Sequence, residues 1–341
     1  MTQQPFVYKI APMPNLSIIV PCFNSQTTIA HCLTAVRASI YKDFELIVVD
    51  DHSSDQTVTV AKGFTDKIIQ LDKNKGSGHA RKAGMQLCTS DIICFIDSDI
   101  IIRPDTLSMI IGFLSQHPSI DAVTGLLAKD SPRQDFFSQY KNLYMHYNFT
   151  LLPEKVTFLF GSICAIRKDL YLPNTTDLRY TPDTESGQQL FSNGKTIAFL
   201  KDLEVTHLKK YTVITFLMND FRIPFSWAKL FIRFNGWRQL GKNKTGFAHA
   251  SQKQLASVMI VYPLVFSAGA GFFFHPLNIL SCLLLVIWLI LNTSFFRFLF
   301  SQRGVIFFLA SIGITFIDHL VMMMGIICGF LSEFKNTRSI K

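Results

Sequence analysis

The chain has 341 residues, of which 49% are hydrophobic, and it carries a formal net charge of +9. This length suffices for one large domain with an extension or for two domains, and a mean hydropathy of +0.27 is high for a wholly soluble protein. The cysteines include no CxxC pair, which argues against a disulfide framework and against a cysteine-based metal cluster.

The first 130 residues alternate short apolar runs with amphipathic stretches. Strands are predicted for the apolar runs Leu16–Val20, Phe44–Val49, Lys67–Leu71 and Asp91–Ile96. Helices are predicted near residues 26–39, 54–63, 77–88 and 104–116. Apolar strands that alternate with helices indicate an α/β fold, with a mostly parallel, Rossmann-like sheet buried on both faces.

A polar segment follows each of the four predicted strands. These segments are PCFN from Pro21, DDHSSDQT from Asp50, DKNKGSGHARKAG from Asp72 and DSD from Asp97. Each one alone is ambiguous, because an Asp after a strand is usually a helix cap and a Gly-rich loop usually only turns the chain. The carboxyl ends of parallel strands meet at one edge of the sheet, where ligands bind. Together the four segments predict a binding cleft.

The DSD segment places two acids one residue apart. Asp97 and Asp99 can therefore face the same cleft. Carboxylate oxygens suit Mg²⁺ or Mn²⁺, and such an ion would take its other ligands from a diphosphate. The alternative is a solvated turn before the helix that begins near Pro104.

The four motifs, in this order and spacing, resemble the inverting family 2 glycosyltransferases with the GT-A nucleotide-sugar fold, over approximately residues 15–207. The resemblance implies a nucleotide-sugar donor, with UDP-sugars favoured, and Mg²⁺ or Mn²⁺ as cofactor. It assigns nucleotide-sugar binding to Pro21, Asn24, Asp51, Gly76, Arg81, Asp97 and Ser98, and metal binding to Asp99 and His207. Lys82 departs from the family pattern, in which Asn usually follows the arginine.

Two later segments extend the resemblance to the acceptor side. FGSICAIRKDLYL resembles the family's Gly-containing strand, with Gly161 and Ser162 facing the acceptor. The string NDFRI retains only Arg222 of the Q-x-x-R-W signature of processive polysaccharide synthases, and Arg222 is also assigned to the acceptor side. Processive synthesis is therefore disfavoured.

The segment TPDTESGQQLFSNGK resembles the family's catalytic segment, which is usually written with adjacent Glu and Asp. Asp183 keeps the position of the catalytic base, Pro182 replaces the Glu, and Glu185 could share the role. A local interpretation competes: Thr181 caps a helix, Pro182 occupies its first position, Gly194 ends it, and the acids complement the helix dipole. The two interpretations are compatible.

Three long apolar segments occupy the C-terminal third of the chain. Leu255–Phe274 and Pro276–Phe296 contain no charged residue. Gly304–Leu331 is apolar except for Asp318 and His319. A bilayer core needs about 20 apolar residues as helix, so three membrane helices are predicted. The alternative is buried core helices of a soluble domain.

These features divide the chain into a catalytic domain (residues 1–207), a basic amphipathic juxtamembrane segment (208–253), a transmembrane region of about three helices (254–332) and a tail (333–341). The N-terminus lacks the apolar core of a signal peptide, so we expect an integral membrane protein with a cytoplasmic catalytic domain. Basic residues beside a membrane helix favour anionic lipid over nucleic acid as a partner.

The sequence thus predicts transfer of a sugar to a hydroxyl of a lipid or lipid-linked acceptor. A polyprenyl phosphate is the alternative acceptor, and it would need no base because it is already ionised near neutrality. A further alternative is a non-catalytic membrane protein that binds a nucleotide sugar.

Overall fold

A computed structural model describes residues 15–171, 181–237, 248 and 250–338. The strands are β1 (Leu16–Cys22), β2 (Phe44–Asp50), β3 (Ile68–Gln70), β4 (Ile92–Ile96), β5 (Ile100–Ile101), β6 (Ala122–Leu127), β7 (Lys155–Val156), β8 (Ile163–Arg167) and β9 (Ile197–His207). The helices are α1 (Ile29–Arg37), α2 (Thr57–Ala61), α3 (Ser77–Met85), α4 (Thr106–Gln116), α5 (Phe136–Thr150), α6 (Pro182–Ser192), α7 (Val213–Arg233), α8 (Gln252–Ala270) and α9 (Pro276–Arg338). The start of the predicted catalytic domain, part of the juxtamembrane segment and the last residues of the tail lie outside the described residues.

The described strands form one mixed sheet in the order β3-β2-β1-β4-β8-β6-β9-β5, with β7 paired to β9. The first four strands run parallel, and β8 is antiparallel to both of its neighbours, β4 and β6. The predicted mostly parallel α/β sheet is confirmed. The expectation that the third strand is buried on both faces is wrong, because β3 pairs only with β2 and its side chains are partly exposed.

Helices cover both faces of the sheet. In β1, Ile18 and Val20 face an apolar cluster that includes Ile29 and Leu33 of α1. The alternating residue Ile19 faces a second cluster, which includes α3. Burial on both faces leaves the carboxyl ends of β1, β2 and β4 as the open edge at which polar groups collect.

The C-terminal apolar region forms three helical stretches. Gly304 (φ 77°, ψ −173°) interrupts α9 and separates an N-terminal arm, residues 276–303, from a C-terminal arm, residues 305–338. The arms run antiparallel, since the rings of Phe300 and Phe308 are 6.0 Å apart and Trp288 Nε1 donates to His319 Nδ1 at 3.0 Å. Among the described residues, α8 and α9 are long and apolar enough to cross a membrane, by length and composition alone.

Helix α7 packs along the C-terminal arm of α9 rather than standing apart as a surface helix. Two glycines of that arm permit the close approach. A Cβ atom at Gly325 would lie 2.4 Å from the Phe221 carbonyl oxygen, and one at Gly329 would lie 2.3 Å from the Phe225 carbonyl oxygen. The GxxxG spacing puts both glycines on one face of the helix, as in close helix pairs within membranes. The predicted juxtamembrane helix is therefore part of the helical bundle.

Candidate active site

A cavity of about 410 Å³ opens at the carboxyl ends of β1 and β4. Most of the predicted site residues line it: Pro21, Asp51, Arg81, Asp97, Ser98, Asp99, Gly161, Ser162, Asp183 and His207. These residues come from strand ends and helix starts that are far apart in sequence. The parallel sheet therefore brings the polar segments together, as the sequence predicts.

Four predicted site residues are absent from the cavity lining. Asn24 (φ 47°) accepts the Ser54 backbone N–H through Oδ1 at 2.9 Å, and so joins the loops that follow β1 and β2. Gly76 has a φ of 89°, which favours glycine, and it precedes α3. Glu185 is wholly buried within α6. Arg222 lies on α7, whose neighbouring residues reach the cavity instead.

Asp51 fixes the Gly-rich loop against the end of β2. Its two carboxylate oxygens accept the backbone N–H groups of Lys75 at 2.8 Å and Gly76 at 2.7 Å. The Asp51 backbone N–H in turn donates to the Cys22 carbonyl at 2.8 Å. Charged acceptors strengthen such bonds, so Asp51 determines where the Gly-rich loop borders the cavity.

Arg81, Gly161 and Asp183 form a connected group at the base of the cavity. Arg81 Nη2 donates to Asp97 Oδ1 at 2.8 Å and to the Gly161 carbonyl at 3.1 Å. The Gly161 N–H donates to Asp183 Oδ2 at 2.8 Å. A Cβ atom at Gly161 would lie 2.5 Å from Arg81 Nη2 and 3.0 Å from Asp183 Oδ2, so a larger residue would displace these two side chains.

The two acids of the DSD segment have different partners. Burial raises the pKa of Asp97 to about 6, although Arg81 opposes the shift. Burial acts in the same direction on Asp99, but His207, together with the charge of Lys209 and a backbone hydrogen bond, outweighs it and holds the pKa of Asp99 below its ordinary value. His207 Nε2 lies 3.3 Å from Asp99 Oδ2. Mutual repulsion of the two acids is thus offset by Arg81 on one side and His207 on the other.

Asp99 and His207 offer one carboxylate and one imidazole to the cavity. Within the part of the chain that the structure describes, no group of three or more His, Cys, Asp or Glu side chains is arranged to hold a metal ion. Mg²⁺ and Mn²⁺ commonly use one or two protein ligands and take the others from phosphate oxygens and water. The donor set therefore fits an ion that binds together with a diphosphate.

Helix α5 contributes residues that the sequence analysis missed. Lys141, Asn142 and Met145 line the cavity, and so do Lys209 and Tyr211 after β9. Lys141 is buried and forms an ion pair with Asp220 of α7, which follows 79 residues later. No local motif marks these positions. The one available signal is a lysine within the aromatic run FFSQYKNLYMHY.

Residues 17–172 match the family described as "Glycosyl transferase family 2". The matched residues contain β1 to β4, the Gly-rich loop, the DSD segment and β8. The match and the GT-A-like sheet with a cavity at its edge make residues 17–172 similar to the family 2 glycosyltransferases.

The chain is similar to part of poly(ribitol-phosphate) beta-N-acetylglucosaminyltransferase TarS of Staphylococcus aureus (26% identity over 203 residues, 56% of this chain and 35% of TarS). It is also similar to the succinoglycan biosynthesis protein ExoO of Rhizobium meliloti (34% identity over 105 residues, 30% of each chain). The chain thus matches about a third of the length of these curated relatives. Among solved structures, mannosyltransferase PcManGT from Pyrobaculum calidifontis shares the fold (TM-score 0.53, 14% identity, 97% of this chain and 91% of that one).

Proposed function

We propose that this protein is an inverting glycosyltransferase that transfers a sugar from a nucleotide sugar, preferably a UDP-sugar, to a hydroxyl of a lipid or lipid-linked acceptor. The observation that carries the proposal is the position of Asp183, which shares one cavity with the DSD acids and Arg81. A base and a diphosphate-binding edge within one cavity are what a single-step displacement needs. The name of TarS, an N-acetylglucosaminyltransferase, agrees with a sugar-transferring reaction.

In the proposed reaction the acceptor oxygen bonds to the anomeric carbon as the bond from that carbon to the diphosphate breaks. The acceptor proton passes to Asp183, and the nucleoside diphosphate leaves with the bonding electrons. A carboxylate is a weak base for an alcohol, so it takes the proton only as the new bond forms and must be held close to the acceptor. The Gly161 N–H bond to Oδ2 holds the Asp183 carboxylate in place.

Asp99 and His207 are the residues that would hold Mg²⁺ or Mn²⁺ beside the diphosphate. Such an ion neutralises negative charge on the leaving group. Lys209 also lines this part of the cavity, and it supplies a positive charge close to Asp99.

We further propose that α8 and α9 anchor the protein in a membrane with the catalytic domain at the cytoplasmic face. Large apolar side chains on these helices are exposed, among them Phe266, Ile290 and Ile306. Arg303, at the turn between the arms of α9, donates to Gln139 of the catalytic domain at 2.7 Å. The opposite turn, residues 271–275, carries no Lys or Arg. Lys335 and Arg338 lie at the opposite end of the C-terminal arm, so the support for a cytoplasmic location comes from Arg297 and Arg303 beside the catalytic domain.

The direct test is the variant Asp183→Asn, in which the side-chain oxygen can still accept the Gly161 N–H. We expect the rate of sugar transfer from radiolabelled UDP-sugars to a membrane lipid extract to fall by about 10²–10⁴-fold, with donor affinity unchanged. Asp66→Asn, at an exposed position, is the matched control. Full activity in Asp183→Asn would favour a phosphate acceptor. Nucleotide binding by the wild type without any sugar transfer would favour the non-catalytic alternative.

Metal dependence has a separate test. UDP affinity is measured by calorimetry with and without Mn²⁺, in the wild type and in Asp99→Ala. We expect Mn²⁺ to strengthen binding only in the wild type, because the variant lacks a carboxylate ligand. Equal affinities in all four measurements would remove the metal from the proposal.

A further inference from the structure

A second cavity lies within the helical bundle. It is a groove of about 280 Å³ between α7, α8 and the C-terminal arm of α9, and apolar side chains form almost all of its surface. Trp227 and Phe231 of α7 line the groove, and so do Trp237 and Ala250. The volume is near the lower end for small-molecule sites, which begin at about 300 Å³.

The groove and the reaction cavity share one face of α7. Asn219 and Ile223 line the reaction cavity, whereas Trp227 and Phe231 line the groove. These four residues are spaced by four, so they form one continuous stripe along the helix. The stripe begins at Asn219 in the reaction cavity and ends at Trp227 and Phe231 in the groove.

The apolar part of this face of α7 is long enough for a hydrocarbon chain. From Ile223 to Arg233 the helix rises about 15 Å. An ion pair lies at the far end of the groove, where Arg233 Nε donates to Glu333 Oε1 at 2.6 Å. A ligand on this face would be polar at the reaction cavity and apolar over about 15 Å.

We propose that this groove binds the hydrocarbon tail of the lipid acceptor and so places the acceptor headgroup in the reaction cavity. The inference rests on the proposed function, which supplies the lipid acceptor. Its occupant is a single alkyl or isoprenoid chain. Recognition comes from apolar contact with the two tryptophans, and the reacting hydroxyl is carried by the headgroup beyond Ile223.

The test uses tryptophan fluorescence, because the chain has 3 Trp residues and two of them line the groove. The third, Trp288, is buried between the arms of α9 and serves as the internal reference. The full-length protein in a steroid-based detergent is titrated with 9,10-dibromooctadecyl glucoside, since bromine quenches tryptophan on contact. A second titration with 9,10-dibromooctadecyl phosphate separates a sugar headgroup from a phosphate headgroup.

We expect saturable quenching in the wild type and its loss in the double variant Trp227→Phe/Trp237→Phe, which retains Trp288. Ala250→Phe should fill the groove and weaken probe binding about tenfold, since the contact of about two CH₂ groups is lost. Ala256→Phe, at an exposed position on α8, is the matched control. Quenching that is non-saturable, or that persists in the double variant, would overturn the proposal.

Slow hydrolysis of UDP-sugars without acceptor is measured in the same preparations. It should be equal in the wild type and Ala250→Phe, because the donor site is untouched. Normal hydrolysis with no groove-dependent quenching would refute the tail site alone. Saturable quenching without hydrolysis or transfer of any sugar would refute the proposed function and leave the groove as a lipid site.

Discussion

Replacement of Lys141 by Met should destabilise the whole protein, because this lysine neutralises the buried Asp220 carboxylate of α7. The Lys141 side chain is 6% exposed and its partner Asp220 is 1% exposed. Asp318 of α9 is wholly buried beside them. Burial lowers the pKa of Lys141, but Asp220 and Asp318 outweigh it, and the net pKa lies above its ordinary value. The lysine is therefore charged in the folded state.

Removing one partner of a buried ion pair costs about 3–5 kcal/mol, because the other charge is left without compensation. For a protein of this size that loss corresponds to a fall in the unfolding temperature on the order of 10 °C. The measurement is thermal unfolding of the full-length protein in detergent. Lys62→Met, at an exposed position, is the control and should leave the unfolding temperature unchanged.

The double variant Lys141→Met/Asp220→Leu provides the decisive comparison. Replacing both members of a buried pair by apolar side chains is often neutral, so the double variant should regain much of the lost stability. A single variant as stable as the wild type would refute the reasoning. So would a double variant that is no more stable than Lys141→Met.

Three further substitutions follow from the packing of single residues. Gly161→Ala should lower kcat/KM for sugar transfer about 10²-fold by displacing the Arg81 and Asp183 side chains, whereas Gly112→Ala, with open space at its Cβ, should not change it. Gly329→Ala should cost about 1–3 kcal/mol by pushing α7 from α9, and Gly313→Ala, also with open space, should be neutral or stabilising in thermal unfolding. Burial raises the pKa of Glu45, but the hydrogen bonds to its carboxylate outweigh burial and lower the pKa from 4.5 to about 2. The ionised carboxylate therefore stabilises the fold above pH 4.5, and this stability is lost as the pH falls toward 2. Glu45→Gln should therefore destabilise by about 1–3 kcal/mol at pH 7 and by less at pH 3, and a difference that does not depend on pH would contradict this.

The half of the cavity formed by the strand ends could be predicted because its determinants are local. An apolar run followed by a polar segment specifies both a buried strand and the chemistry at its end. The expectation that these ends converge depended only on the strands being parallel, and β1, β2 and β4 are parallel. Asp51, Asp97 and Asp99 accordingly lie in one cavity.

The other half of the site depends on contacts between distant segments. Arg81 meets Gly161 across 80 residues, and Lys141 meets Asp220 across 79. Pairing of β8 between β4 and β6 creates the first contact, and packing of α5 against α7 creates the second. Neither arrangement leaves a periodic pattern in the sequence. Arg81 and His207 lie against Asp97 and Asp99 from within the protein, and these contacts also join segments that are distant in sequence.

Helix α7 belongs both to the reaction cavity and to the helical bundle. The strand-and-helix domain therefore cannot be separated from the apolar helices without the loss of part of the cavity. A chain that ended after β9 would retain the strand ends and lose the wall formed by Asn219 and Ile223. It would also uncover Lys141, whose counter-charge resides on the missing helix. The apolar helices are therefore structural components of the folded protein and of its cavity.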